Sequence, residues 1–174
     1  MNHTSADPRP SVGHYLFSVL VLALLWLLLA GSLKAAELTA AFAVGAVVTA
    51  MTGSRLAVLA GVRLSPLAPL HLVRYLAVFL FALVRANLDM ARRVLSPSLP
   101  LRPAVVEVET RLRSSLGRML LANSITLTPG TLAVDVRGDR ILVHWVDCAP
   151  GTDLDQATRA ISHAFERHIR GFLK

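Results

Sequence analysis

The sequence predicts a membrane protein with an N-terminal transmembrane helical hairpin, a long amphipathic helix and a small cytosolic α+β module. Three observations predict this fold class. With its 10 glycines, the apolar share of the 174 residues is about 60%, above the roughly 45–50% of soluble domains. Two long segments near the N-terminus carry no charged side chain. Residues 54–103, which follow them, hold seven arginines against one aspartate and so carry most of the net charge of +7.

The first 53 residues predict a polar lead, residues 1–14, followed by the hairpin, residues 15–53. Its first uncharged segment, residues 15–33, would reach about 28 Å as a helix, close to the roughly 30 Å of a bilayer core. A cleaved signal peptide is the alternative, but the run is long and no basic cluster precedes it. The second segment, residues 38–53, is rich in alanine and glycine, which let helices approach closely in lipid.

Neither uncharged segment contains Asp, Glu, Lys, Arg or His. Ion and proton routes through a membrane are marked by ionisable side chains, which are costly to bury in lipid. The chain by itself is therefore not expected to translocate a cation.

Residues 67–95 predict a basic amphipathic helix. At 100° per residue, its polar side chains fall on one narrow stripe, made of His71, Arg74, Arg85, Asp89 and Arg92. The helix could lie along the membrane surface, or cross it with the stripe facing partner subunits. Basic residues flank both of its ends, which favours two spans with both ends in the cytosol over three spans. The predicted contacts to the membrane surface or a partner are Arg74, Arg85, Arg92 and Arg93.

A proline-rich linker, residues 96–103, leads to the predicted cytosolic α+β domain, residues 104–174. Alternation of apolar and polar residues predicts strands over 104–112, 131–137 and 140–146, with a tight turn at Gly138 and Asp139. Helical spacing predicts a helix over 115–123 and a final one that begins at Asp153, where Gln156 completes a capping box. The resulting order is β-α-β-β-α.

The sequence shows no recognisable arrangement of catalytic side chains. His144, Asp147 and Cys148 are close together, but no sharp glycine-flanked nucleophile turn accompanies them. His163 and His168 diverge around a helix and cannot share a metal ion, and no glycine-rich phosphate loop is present. We expect no enzyme activity, no cofactor and no metal site.

Two other classes of protein stay open beside a structural role. A membrane-tethered enzyme would have to use the group around Cys148. A membrane-anchored nucleic-acid binder would have to use the arginines of the middle third, but stacking aromatic side chains are not interleaved with them. We therefore expect no nucleic-acid partner.

The most distinctive stretch covers residues 120–136, LLANSITLTPGTLAVDV. Pro129 presets the first central angle of a type II turn, and Gly130 tolerates the positive angle of the second position. Polar groups at Asn123, Thr126 and Thr128 stand beside this turn. They form either a local capping network or an intermolecular contact.

Together with the strand ILVHWVD, the basic stretch RANLDMARRVL and the apolar N-terminal third, this stretch resembles the MrpE/MnhE family, the E subunits of the Mrp, or Mnh, multisubunit sodium/proton antiporters. Residues 15–172 fit the order of segments in that family. The resemblance implies a multi-pass accessory subunit in the prokaryotic plasma membrane, where cation and proton movement is attributed chiefly to larger subunits.

The resemblance also implies partners and residues. The partners would be the other antiporter subunits and membrane lipids. Five positions of the family signature carry over as supports of assembly or domain seating, without a chemical role: Asn123, Thr126, Thr128, Pro129 and Gly130.

Overall fold

The computed structural model describes residues 11–52, 61–63, 65–97 and 101–174. Residues 1–10 of the predicted lead, residue 53 of the hairpin and residues 98–100 of the linker lie outside the described residues. The elements are α1 (Val12–Ala30), α2 (Ala35–Thr52), α3 (Ala68–Val94), β1 (Ala104–Glu109), α4 (Ser115–Leu127), β2 (Thr131–Arg137), β3 (Arg140–Trp145), α5 (Leu154–Ile161) and α6 (His163–Ile169). The predicted fold class, apolar helices followed by a small sheet and helix module, is confirmed.

Helices α1 and α2 pack against each other through small residues. The buried positions are His14, Ser18 and Ala23 in α1, and Ala41, Gly45 and Thr49 in α2. At Gly45 the helices come so close that an added Cβ would lie 3.0 Å from the backbone oxygen of Val19. Since lipid gives no hydrophobic force between helices, this close backbone packing is what stabilises the hairpin.

The helix bounds place two ionisable residues inside the hairpin helices, outside the uncharged segments that the sequence marked. The His14 ring, in the first turn of α1, donates from Nε2 to the Val62 carbonyl oxygen at 3.0 Å and accepts at Nδ1 from the Ser11 hydroxyl at 2.7 Å. Glu37, in the first turn of α2, accepts from Trp26 Nε1 at 3.0 Å. Both residues therefore tie elements of the chain together.

The module contains a three-stranded antiparallel sheet in the order β1-β3-β2. Val108, Ile141 and Val143 are fully buried in it. The tight turn between β2 and β3 lies at Gly138, whose φ of +61° is in the left-handed region. A register shift in β2 between Ala133 and Asp135 marks a bulge.

The predicted final helix is two helices, α5 and α6. Its start is as expected, because an Asp153 carboxylate oxygen accepts the backbone N–H of Gln156 at 2.7 Å. The interruption falls at Ser162, which is fully buried and whose hydroxyl donates to the Thr158 carbonyl oxygen at 3.0 Å. A serine hydroxyl bonded to the carbonyl four residues earlier bends helices, and apolar periodicity alone does not register such a bend.

The hydrophobic core is shared between α3 and the module. The rings of Tyr75 and Phe172 are 5.7 Å apart, those of Phe79 and Phe165 are 6.2 Å apart, and the Tyr75 hydroxyl lies 2.8 Å from Ser124 Oγ. The other side of α3 is apolar and exposed, with Leu72, Val73, Leu76, Leu80, Phe81, Val84 and Leu88. By length and composition alone, α1, α2 and α3 could each cross a membrane.

Candidate functional site at the junction of α3 and the module

The signature stretch forms the end of α4, a turn and the start of β2. Thr131 donates its backbone N–H to the Thr128 carbonyl oxygen at 3.3 Å, and Gly130 between them has a φ of +95°, as a type II turn requires. The Thr128 hydroxyl donates to the Ser124 carbonyl at 2.8 Å. The Thr126 hydroxyl accepts the backbone N–H of Ala133 at 3.1 Å. These threonines therefore form a local capping network, one of the two predicted alternatives.

Asn123 differs from the two threonines. It is exposed, and in the described part of the chain its side chain has no hydrogen bond to another residue. A role for Asn123, Thr126, Thr128, Pro129 and Gly130 in assembly stays a prediction.

The turn lies against the C-terminal half of α3. A Cβ added to Gly130 would lie 3.5 Å from the terminal methyl group of Met90. A groove of about 640 Å³ separates the two elements, and Thr128, Pro129 and Gly130 line one part of it while Phe81, Arg85 and Asp89 line another. The signature turn thus faces the C-terminal half of α3 across this groove.

An ion-pair network joins the end of α3 to the end of β3. Asp147 accepts from Arg93 Nη1 at 2.6 Å and from Arg102 Nε at 3.0 Å, and Arg93 also bonds to Asp89 at 2.7 Å. Hydrogen bonds from Arg102 and then Arg93 lower the pKa of Asp147. The Asp147 carboxylate is therefore charged at neutral pH, and its ion pair with Arg93 binds α3 to the module.

Of the four arginines predicted to contact the membrane or a partner, one belongs to this ion-pair network and three do not. Arg93 is engaged with Asp89 and Asp147, whereas Arg74, Arg85 and Arg92 are exposed. Their contacts with lipid or with a partner stay a prediction. The residue that sequence reasoning missed is Asp147 as the partner of α3, because 54 residues separate it from Arg93 and no local pattern links them.

The opposite end of α3 also contacts the module. A Cβ at Gly171 would overlap the His71 ring, so the last turn of the chain accommodates His71 only because residue 171 is glycine. The neighbouring C-terminal residues pair with the segment 61–63, where Arg63 N–H donates to the Phe172 carbonyl at 2.8 Å and Lys174 N–H to the Gly61 carbonyl at 2.8 Å. About 33 Å of helix separates His71 from Arg93, so the module contacts α3 along nearly its full length.

Two residues of the group around Cys148, Asp147 and Cys148 itself, have contacts within the chain. Asp147 is held by two arginines, and Cys148 is 8% exposed with its Sγ 3.5 Å from the Ala149 carbonyl oxygen. Among residues 11–52, 61–63, 65–97 and 101–174, no three His, Cys, Asp or Glu side chains come close enough to hold a metal ion.

Exposed apolar helices joined to a small module define a membrane-anchored protein whose surfaces are suited to lipid and to other proteins. The MnhE family, described as Na⁺/H⁺ ion antiporter subunit, matches residues 19–171. The chain belongs to this family, which confirms the resemblance found in the sequence.

Individual relatives agree with this assignment. The E subunit of the Na⁺/H⁺ antiporter of Alkalihalophilus pseudofirmus is 35% identical over 100 residues, which cover 56% of this chain and 61% of the relative. The E1 subunit of the Na⁺/H⁺ antiporter of Staphylococcus saprophyticus is 32% identical over 57% of this chain and 61% of its own length. The match therefore spans about three fifths of these curated relatives.

Among solved structures, one chain of the membrane-bound sulfane sulfur reductase, an archaeal respiratory membrane complex, is similar over more of the sequence. It is 39% identical with a TM-score of 0.75, and the match covers 91% of this chain and 98% of that chain.

Proposed function

We propose that this chain is an accessory subunit of a multisubunit sodium/proton antiporter in a prokaryotic plasma membrane. It is needed for assembly and activity of the complex and does not itself carry the ions. Family membership supports the antiporter part of the proposal. The accessory role rests on α1 and α2, whose acidic, basic or histidine side chains are His14 and Glu37, each near a helix start and each hydrogen-bonded within the chain. A proton or cation route needs ionisable groups along the membrane interior.

In this proposal the hairpin is the membrane anchor. Its exposed leucines and valines contact lipid and neighbouring subunits, and the α1–α2 contact sets the shape of that surface. Helix α3 lies along the membrane surface with its exposed apolar face toward the lipid, because the module contacts α3 at both His71 and Arg93. The module then lies on the cytosolic side and braces the other subunits.

The proposal is tested by removing this subunit from its host and measuring sodium-dependent proton movement in everted membrane vesicles. We expect antiport and the assembled complex to be lost, and a plasmid copy to restore both. The purified chain in liposomes should give no sodium-dependent proton movement. Sodium/proton exchange by the purified chain, or full exchange by membranes that lack it, would contradict the accessory role.

A pair of variants ties the test to the hairpin. Gly45→Leu places a large side chain where α2 approaches the α1 backbone, whereas Val44→Leu enlarges a side chain that is 39% exposed. We expect only Gly45→Leu to reduce the amount of assembled complex and antiport. Equal effects of both variants would mean that the α1–α2 contact has no special role.

A second candidate is a subunit of a respiratory membrane complex. The observation that favours it is the 39% identity and the TM-score of 0.75 over 91% of this chain with a chain of the sulfane sulfur reductase complex. Affinity purification of the chain from native membranes separates the two candidates. Co-purified antiporter subunits support the first, and co-purified redox subunits support the second.

A further inference from the structure

A cleft on the module, beside the contact of Gly171 with α3, concentrates arginine side chains. It is lined by the outer face of α5 and α6, by the end of β1 and the residues after it, and by the segment 61–63. Its volume of about 580 Å³ is within the range of small-ligand sites, roughly 300–1,000 Å³. Among the residues that the structure describes, five arginines line the cleft: Arg63, Arg111, Arg159, Arg167 and Arg170.

Positive charge in this arginine cleft exceeds negative charge. In the described part of the chain its carboxylates are Glu109, Asp155 and Glu166, three against five guanidiniums. Glu166 is 7% exposed and accepts the backbone N–H of Arg111 at 2.7 Å, so this carboxylate is engaged by the main chain. Across the ranges that the structure describes, none of the five arginines forms an ion pair with a carboxylate.

Unpaired guanidiniums that share a cleft repel one another and attract anions. A cleft lined by one sign of charge focuses the field and raises the local concentration of the opposite ion. The planar guanidinium matches the oxygen spacing of phosphate and binds it with two hydrogen bonds. Arg63 is also fixed in position, because its Nε donates to the Leu173 carbonyl oxygen at 3.1 Å.

The cleft lies near the point where the chain enters the membrane hairpin. Arg63 follows Val62, whose carbonyl oxygen is bonded to His14 in the first turn of α1. Burial, and then the nearby charges of Arg167 and Arg74, lower the pKa of His168.

We propose that the arginine cleft binds a phosphate-bearing anion with at least two negative charges. Two sources supply this chemistry: the headgroup of an acidic phospholipid at the membrane surface, and a soluble polyphosphate. The site is independent of which complex the chain joins, since all the residues that form it belong to this chain.

The test uses the full chain in neutral detergent and measures binding of cardiolipin, phosphatidylcholine and pyrophosphate by native mass spectrometry. We expect one of the two phosphate anions to bind and phosphatidylcholine to bind at least tenfold more weakly. The double variant Arg159→Gln with Arg167→Gln should bind that anion at least tenfold more weakly than the wild type. Both side chains are exposed, so their replacement leaves the core untouched.

A control variant removes two positive charges elsewhere on the module, one of them on Arg137, which pairs with Asp135 at 2.6 Å. Arg113→Gln with Arg137→Gln changes two exposed arginines that do not line the cleft, and binding should stay within twofold. The variant Arg159→Lys with Arg167→Lys keeps the charge but loses the bidentate geometry, and should bind with intermediate affinity.

Each outcome decides the proposal. Cardiolipin binding that only the cleft variants weaken supports a lipid headgroup, and pyrophosphate binding with the same pattern supports a soluble source. Equal weakening by the control variant would reduce the effect to net charge and overturn the proposal. Binding of neither anion by the wild-type chain would also overturn it, and would leave an acidic segment of a partner protein as the occupant.

Discussion

Single residues hold α3 against the module at its two ends. At the N-terminal end Gly171 makes room for the His71 ring, and at the C-terminal end Asp147 accepts hydrogen bonds from Arg93 and Arg102. Both contacts join residues that are far apart in the chain. They matter because they decide where a long apolar helix lies.

The contact at Gly171 predicts a double-mutant result. Gly171→Ala puts a methyl group into the space of the His71 ring and should lower the free energy of unfolding by about 1–3 kcal/mol. In a His71→Gly background neither the ring nor the Cβ of residue 71 is left, so the space is free and the same substitution should cost little. Thermal unfolding of the four proteins in detergent gives the measurement. An equal cost in both backgrounds would show that His71 is not what Gly171 accommodates.

The contact at Asp147 predicts a dependence on pH. The pKa of Asp147 is lowered from 3.8, first by the hydrogen bond from Arg102 and then by that from Arg93. As the pH falls, the unfolded chain takes up the proton before the folded one. The stability that the carboxylate supplies is therefore complete at neutral pH and is lost as the pH falls through the lowered pKa.

We accordingly expect Asp147→Asn to lower the unfolding midpoint at pH 7 and the difference from the wild type to shrink below about pH 4. Asp139→Asn, an exposed aspartate in the β2–β3 turn, is the control and should change the midpoint little across the range. A difference for Asp147→Asn that stays constant down to pH 3 would argue against the ion-pair explanation.

At the scale of elements, α3 has the composition of a membrane span but the contacts of a helix packed along a domain. Its exposed side is apolar over several turns, while the opposite side contributes Tyr75 and Phe79 to the shared core. A helix that crossed the bilayer would carry the contact at Arg93 to the other membrane surface, about 33 Å from the contact at His71. These contacts favour a position in the plane of the membrane surface.

Cysteine labelling tests this position. In a Cys148→Ser background, Leu67→Cys and Leu95→Cys place thiols just outside the two ends of α3, where the native side chains are 57% and 83% exposed. We expect an impermeant maleimide to label both from the same side of oriented membrane vesicles. Leu33→Cys, in the α1–α2 connection, should be labelled from the other side. Labelling of the two α3 thiols from opposite sides would show that α3 spans.

At the scale of the whole molecule, the membrane part and the module are mechanically joined. The Tyr75 and Phe79 rings pack on Phe172 and Phe165, and the His14 ring is bonded to the segment that pairs with the C-terminus. The predicted division of the chain at residues 96–103 separates two parts that share one core.

The shared core predicts the behaviour of fragments. Residues 104–174 alone lose the contacts of Tyr75 and Phe79 with the module, whereas residues 61–174 keep them. We expect the shorter fragment to be less stable by about 3–5 kcal/mol, the cost of removing one large buried aromatic side chain. Chemical denaturation of both fragments measures the difference. Equal stability would mean that residues 104–174 fold independently of α3.

The sequence by itself determined the helices that a lipid environment imposes and the turns and caps that depend on a few consecutive residues. A run of apolar residues as long as a bilayer must become a helix in lipid, because every backbone polar group there needs an internal partner. The turn at Gly130, the hairpin at Gly138 and the cap at Asp153 follow from the angles and hydrogen bonds of a few consecutive residues. The signature stretch also sufficed to indicate the family.

Only the tertiary structure decided what those elements face. The helical wheel of α3 separated a polar stripe from an apolar side, but Tyr75 and Phe79 lie beside the stripe, and their partners Phe172 and Phe165 are far along the chain. The pairing of Arg93 with Asp147 and the cleft of five arginines likewise join distant segments. Periodicity shows whether one face of a helix is apolar or polar. It does not show which distant residues pack against that face. For that reason these contacts could not be predicted from the sequence.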